Sequence, residues 1–216
     1  MNKSQAVIYQ RYKNMSEALL NALTRRGYEA YFCENSQSAK EKVLSLIPEN
    51  VTVSWGGTLT LEDMGVLDAV RKGNYNVIDR DMATTPEERT KMIKASLTAD
   101  VFLSSVNAIS EDGVMVNIDG LGNRISAIAY GAESVILVIG MNKVCRNAED
   151  AKLRARTYAA PNNGLRLGLN NLPCVKTGLC ADCLAPECMC SQIVEMRTCR
   201  IPNRIKVVLV GEDLGL

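Results

Sequence analysis

The sequence contains no histidine at all. That absence removes serine–histidine and cysteine–histidine nucleophile pairs, the HExxH zinc site and any imidazole acid or base. Proton transfer must then fall to Asp, Glu, Lys, Tyr or Cys, and a metal would have to be held by thiolates or oxygens. Aromatic residues are scarce, with one Trp and two Phe. Three aromatics (Tyr28, Tyr31, Phe32) gather in one candidate strand, which leaves no platform for stacking bases. Charge of one sign is also missing: 25 Lys and Arg nearly balance 24 Asp and Glu. That balance and their scatter argue against a nucleic-acid partner. No window reaches the length of a membrane span, and the opening MNKSQAVIYQRYKN has no apolar core of a signal peptide, so a cytoplasmic protein is expected.

What is present is ordinary apolar content, 47%, in a pattern of alternating helices and strands. Residues 4–26 have helical spacing and stop at Gly27, and Tyr28–Cys33 reads as a strand. Ser38 opens a helix that Pro48 closes. Val51–Trp55 is a strand that runs into Gly56-Gly57-Thr58, and a helical pattern from Leu59 to Gly73 carries a break at Gly65. Tyr75–Ile78 is a further strand. Thr85, Pro86 and Glu88 form a capping box for a helix to about Leu97. Val101–Leu103, Val114–Ile118, Val135–Ile139 and Ile205–Val210 are the remaining strands, with a short helix at Arg124–Tyr130. Asn147 and Asp150 cap a helix that Pro161 is expected to end. Near-continuous apolar strands between helices predict an α/β fold with a mainly parallel sheet covered on both faces.

In such sheets ligands bind where strands end in tight polar turns. Trp55-Gly56-Gly57-Thr58 is one such turn, suited to presenting backbone N–H groups to an anion. The stretch Asp100–Lys143 supplies the rest: Asn107, Asp112, Asn117, Asp119, Asn123, Arg124 and Lys143 all fall near strand ends. Arg124 and Lys143 are candidate clamps for a carboxylate or phosphate, with the asparagines orienting it. Asp119 or Glu62 would serve as base if burial raised its pKa. Taken singly, these residues also suit plain structural roles: turns at Asp112-Gly113 and Asp119-Gly120, and a helix cap at Asn123. The segment Asp119–Ile125 lacks the third glycine of a dinucleotide fingerprint, so no nicotinamide cofactor is implied.

Six of the eight cysteines lie between Cys174 and Cys199, spaced C-x5-C-x2-C-x4-C-x-C-x8-C. The segment at about 172–200 precedes the last strand and reads as a cysteine-rich insertion packed on a single domain spanning 1–216. Without histidine, a closed metal site there would be all sulfur, which suits zinc or an iron–sulfur cluster. Disulfides and free thiols remain as alternatives. A working Cys180–Cys183 redox pair fits less well, because Gly178 and Pro186 bracket a loop instead of a helix start.

Together, WGGTLTLEDMG, ADVFLSSVNAISEDGVMVNIDGLGNRISAI, VIGMNKV, PCVKTGLCADC and the VVLVGEDLG ending carry a family likeness. The chain resembles the lactate-utilisation (LUD) domain family in its small form with a cysteine-rich tail. The resemblance implies a fold similar to the sugar-phosphate isomerase and CoA-transferase superfamily, and a part in bacterial lactate or related carboxylate metabolism within a multi-protein system. It matches the family's cysteines at Cys174, Cys180, Cys183 and Cys190, the set expected to hold a metal, and leaves Cys188 and Cys199 as extras. It names no catalytic residue. The expected partners are a small anionic carboxylate or phosphate ligand and a redox protein, and a homo-oligomer is open. A ligand-binding or regulatory protein with no turnover is the alternative to an enzyme.

Overall fold

The computed structural model describes residues 3–216. Its frame is a six-stranded sheet in which every neighbouring pair is parallel. The strands are β1 (Glu29–Cys33), β2 (Thr52–Trp55), β3 (Asn76–Ile78), β4 (Val101–Ser104), β7 (Ser134–Gly140) and β10 (Ile205–Val210), in the order β1-β10-β7-β4-β2-β3. The central strands are apolar on both sides because both faces are covered. Along β7, Val135, Leu137 and Ile139 enter one core while Ile136 and Val138 enter the other. Along β10, Val207 and Leu209 part from Val208 and Val210 in the same way. The first core is closed by Tyr12, Leu19 and Leu23 of α1 (Lys3–Arg25). The second is closed by Ala39 and Val43 of α2 (Ser36–Ser45) and by Leu61, Val66 and Val70 of α3 (Leu59–Asp63) and α4 (Val66–Lys72).

A smaller sheet stands beside this frame, ordered β8-β5-β6-β9. It contains β5 (Ala108–Ser110), β6 (Met115–Asp119), β8 (Val144–Cys145) and β9 (Gln192–Met196). The Val114–Ile118 strand of the sequence reading thus exists, displaced by one residue, and belongs here instead of to the parallel sheet. The turn before it holds as read: Gly113 has φ +88° and donates to the Ser110 carbonyl. Ile109 and Met115 face the α1 side, while Ala108, Val116 and Ile118 pack under a small cluster with Ala151, Ala155 and Ala160.

Most helix boundaries follow the local chemistry. Gly65, at φ +64°, separates α3 from α4 where the break was expected. Thr85 caps α5 (Pro86–Ser96), accepting from the Glu88 N–H at 3.1 Å. Three details differ. Helix α2 is capped by Asn35, with Ser38 at the third helical position completing the capping box. Helix α6 (Asn123–Ser126) starts after Gly122, so Asn123 is its first residue and not its cap. The helix from Asn147 does not end at Pro161. Helix α7 (Ala148–Arg154) widens into a π turn at Ala155–Ala159 and continues as α8 (Ala160–Arg166). A π turn bonds i to i+5, which makes room for a proline ring and its missing N–H.

Candidate functional site

The chain leaves the neighbouring strands β2 and β4 in different directions: from β2 it reaches the outer strand β3, while from β4 it passes through β5 and β6 of the smaller sheet before returning as β7. Such a divergence opens a crevice at the carboxyl edge of a parallel sheet. Here the crevice is a cavity of about 360 Å³. Its walls come from the ends of β2 (Gly57, Thr58), β3 (Arg80), β4 (Ser105, Val106, Asn107) and β7 (Lys143). The β6–α6 turn adds Asp119, Asn123 and Arg124, α5 adds Arg89, and α8 adds Asn163 and Arg166.

Seven residues expected from sequence line this one cavity: Gly57, Thr58, Asn107, Asp119, Asn123, Arg124 and Lys143. Gly56 lies just beneath it, where a Cβ would meet the Arg124 side chain at 2.7 Å, so glycine there makes room for that arginine. Glu62 is exposed on α3 and does not line the cavity. Asp112 pairs with Arg26 elsewhere, and Asn117 is fully buried behind the wall.

Arg124 is tied to protein on every side. Nη1 donates to the Ser105 carbonyl (3.0 Å) and Asn117 Oδ1 (2.7 Å), and Nη2 to Asn107 Oδ1 (3.2 Å) and the Ile118 carbonyl (2.8 Å). Its Nε faces Asp119 Oδ2 at 3.7 Å. With its donors spent, this arginine braces the β4 and β6 loops. The Oδ2 of Asp119 also accepts from the Ile125 N–H at 3.2 Å, which ties this carboxylate to the start of α6.

The donors left over belong to residues the sequence reading passed by. Arg80 and Arg166 have no ion pair among the described residues. Their Nη2 atoms lie 3.0 and 3.4 Å from the point where a Cβ on Gly57 would sit. The Nε of Arg80 and the Oγ1 of Thr58 are buried without a hydrogen-bond partner. Burial lowers the Arg80 pKa, as do Arg89 and Arg166, against Asp81 and Asp119. Arg80 was findable by the strand-end rule that picked Asn107, since it follows β3 directly. Arg166 was hidden by the expected stop at Pro161.

Lys143 is 3% exposed. Its Nζ bonds only to neutral acceptors: Ser105 Oγ (3.0 Å), Thr60 Oγ1 (3.1 Å) and the Val106 carbonyl (3.3 Å). Burial, then the charges of Arg154 and Arg124, push its pKa from the ordinary 10.5 down to about 7.

The tail reaches this cavity. Met189, between Cys188 and Cys190, forms part of the wall and accepts from Asn163 Nδ2 at 3.4 Å. All eight cysteines are free thiols. Cys174, Cys180, Cys183, Cys188 and Cys190 lie near enough to feel one another's charge. Cys188 Sγ accepts from the Cys190 N–H at 3.4 Å. Cys199 stands apart, its Sγ on the Ile201 carbonyl and its N–H on that of Arg26. Among the described residues no three of Cys, Asp and Glu gather closely enough to hold a metal ion. The donors are of the soft kind that zinc or iron–sulfur chemistry uses, but they do not share a common point.

Fold and cavity together define a parallel α/β protein with an arginine-lined site at the carboxyl edge of its sheet. The chain belongs to the LUD domain family, whose model matches residues 16–210. A DUF162 family protein from Deinococcus radiodurans shares the fold, with TM-score 0.54 and 8% identity over 92% of this chain and 98% of that one. Fainter likenesses are to eIF2B delta from Chaetomium thermophilum and ribose 5 phosphate isomerase A from Neisseria gonorrhoeae. The first has TM-score 0.37 and 16% identity over 60% and 52% of the two chains. The second has TM-score 0.34 and 14% identity over 52% and 54%. Both are too weak to add to the fold. No curated protein matches the sequence. Among the described residues no helix is long and apolar enough to cross a membrane.

Proposed function

We propose that the cavity over Gly57 binds a small carboxylate or phosphate anion, and that the protein acts in lactate or related carboxylate metabolism in the cytoplasm. LUD membership supports a lactate-utilisation-type role in general terms. The observation that carries the ligand reading is the set of unspent donors, Arg80 Nε and Thr58 Oγ1, beside Arg166, whose Nε donates to Asn163 Oδ1 at 2.9 Å and whose Nη2 faces Gly57. Buried donors without partners are costly unless something accepts from them, and a guanidinium pair suits a carboxylate or phosphate. Arg80 and Arg166 hold the anion, Thr58 donates to it, and Arg124 keeps the loops in place.

A thermal-shift series with L-lactate, D-lactate, pyruvate and orthophosphate tests this. A ligand at about a hundredfold its Kd should raise the melting temperature by roughly 5–10 °C. The Arg80→Ala, Arg166→Ala double variant should lose that rise. A rise that survives the double variant, or none with any of the four, removes the reading. Binding with no turnover in the presence of an electron acceptor would make the protein a ligand-binding or regulatory member.

The tail thiols are proposed to take zinc or an iron–sulfur cluster, supported by the soft donor set and by five cysteines that interact pairwise, which would have to close around a metal from the separated positions they hold here. Iron, zinc and acid-labile sulfide should be found in anaerobically purified protein. Metal-free protein with an unchanged melting temperature in chelator would sink it.

A further inference from the structure

Lys143 is the one buried lysine among the described residues, and its surroundings are unlike those of a structural lysine. Lysines are almost never buried unless paired with a carboxylate. This one has two hydroxyls and a carbonyl for partners, and its nearest charges are the cations Arg154 and Arg124. An ammonium without a counter-ion in such a place is strongly disfavoured, so the amine is driven toward its neutral form. Desolvation and a neighbouring cation are the two means by which an enzyme makes a lysine nucleophilic. Thr60 and Ser105 can each give or take a proton, so they can serve the nitrogen in either state.

Position supplies the second half of the argument. Lys143, Thr60, Ser105 and Val106 line the same cavity as Arg80 and Arg166. The turn into α3 joins the two ends. Gly57 lies under the guanidinium pair, and Thr60, three residues on, bonds Lys143 Nζ. An anion held at the first end therefore presents the rest of itself along a wall that carries the buried Lys143 amine.

We propose that Lys143 forms a reversible imine with the carbonyl carbon of a 2-oxo acid whose carboxylate is held by Arg80 and Arg166. This rests on the anion-binding reading of the cavity. The Nζ lone pair adds to C2, and the carbonyl π pair moves to oxygen, which takes a proton. The first of the two nitrogen protons passes to that oxygen; a second protonation lets the hydroxyl leave as water while the nitrogen lone pair forms the C=N bond, and the resulting protonated imine can release its last N–H proton to solvent. One amine and one ketone give one imine and one water, with no oxidant or reductant. The protonated imine draws electrons from the adjacent C3–H bonds, so a C3 proton can leave and return through the Ser105 or Thr60 hydroxyl.

The test uses the full chain with pyruvate and 2-oxobutyrate in the presence of cyanoborohydride, followed by peptide mapping. One reduced adduct per chain is expected, on Lys143, and its yield should fall at least tenfold in the Arg80→Ala, Arg166→Ala variant. Lys143→Arg should form none. A second readout needs no variant: wild-type protein in D2O should exchange the pyruvate methyl protons, followed by proton NMR. A pyruvate-dependent thermal shift with neither adduct nor exchange would overturn the imine and leave the binding site standing. Absence of shift, adduct and exchange together would overturn both. An adduct that persists in Lys143→Arg, or is scattered over exposed lysines, would overturn the assignment to Lys143.

Discussion

Arg124 and Arg80 bring the same guanidinium to the same cavity, yet their hydrogen bonds put them to different uses. Arg124 satisfies Asn107, Asn117 and two carbonyls, so truncating it leaves buried acceptors without donors. Arg124→Ala should lose about 3–5 kcal/mol in urea unfolding, whereas Arg80→Ala should stay within about 1 kcal/mol of the parent. An Arg124→Ala protein as stable as the parent would dismiss the bracing role. Lys143 gives a pH signature. Its pKa is about 7 when folded against 10.5 ordinarily, so between those values the unfolded chain binds more protons than the folded one. Stability therefore rises with pH across that window, and below pH 7 the cost of burying the charge is borne in full. Unfolding curves at pH 7 and pH 9 should show this rise in the parent and not in Lys143→Met. Equal pH dependence in the two proteins would contradict it. Arg124 and Lys143, both read from sequence as strand-end residues, line the same cavity, but which arginine is spent on protein depends on partners far apart in the chain.

The elements most visible in the sequence were those whose signal is local. Apolar runs mark β7 and β10, and their odd and even residues divide between two cores as the two-residue period of a strand requires. Glycine at Gly65 and the Thr85 cap mark helix ends through single-residue chemistry. Elements defined by pairing were harder to see. β5 is three residues long, and β9 (QIVEM) is only half-buried, taking its identity from its antiparallel ladder with β6. Pro161 misled for a different reason. A proline stops a regular helix, but the π turn before it widens the backbone so that the helix carries on. That continuation brings Asn163 and Arg166 to the cavity, so an irregular turn supplies half of the guanidinium pair.

At the scale of the molecule, the cavity is assembled from four ends of the parallel strands, the β6–α6 turn, α5, α8 and the tail. The general rule that ligands sit at the carboxyl edge of a parallel sheet pointed to residues that the fold gathers around this one cavity. The tail was legible as a cysteine cluster but not as part of the wall, since Met189 carries no signal of its own. Met189 sits between Cys188 and Cys190 and faces the cavity. It is the point at which an occupant of the cavity would touch the cysteine segment. Thermodynamic reciprocity then applies: if filling the cavity multiplies the affinity of those thiols for a metal by some factor, loading the metal must multiply the affinity of the cavity for its ligand by the same factor. If both regions bind as proposed, occupancy of either one becomes a reporter on the other.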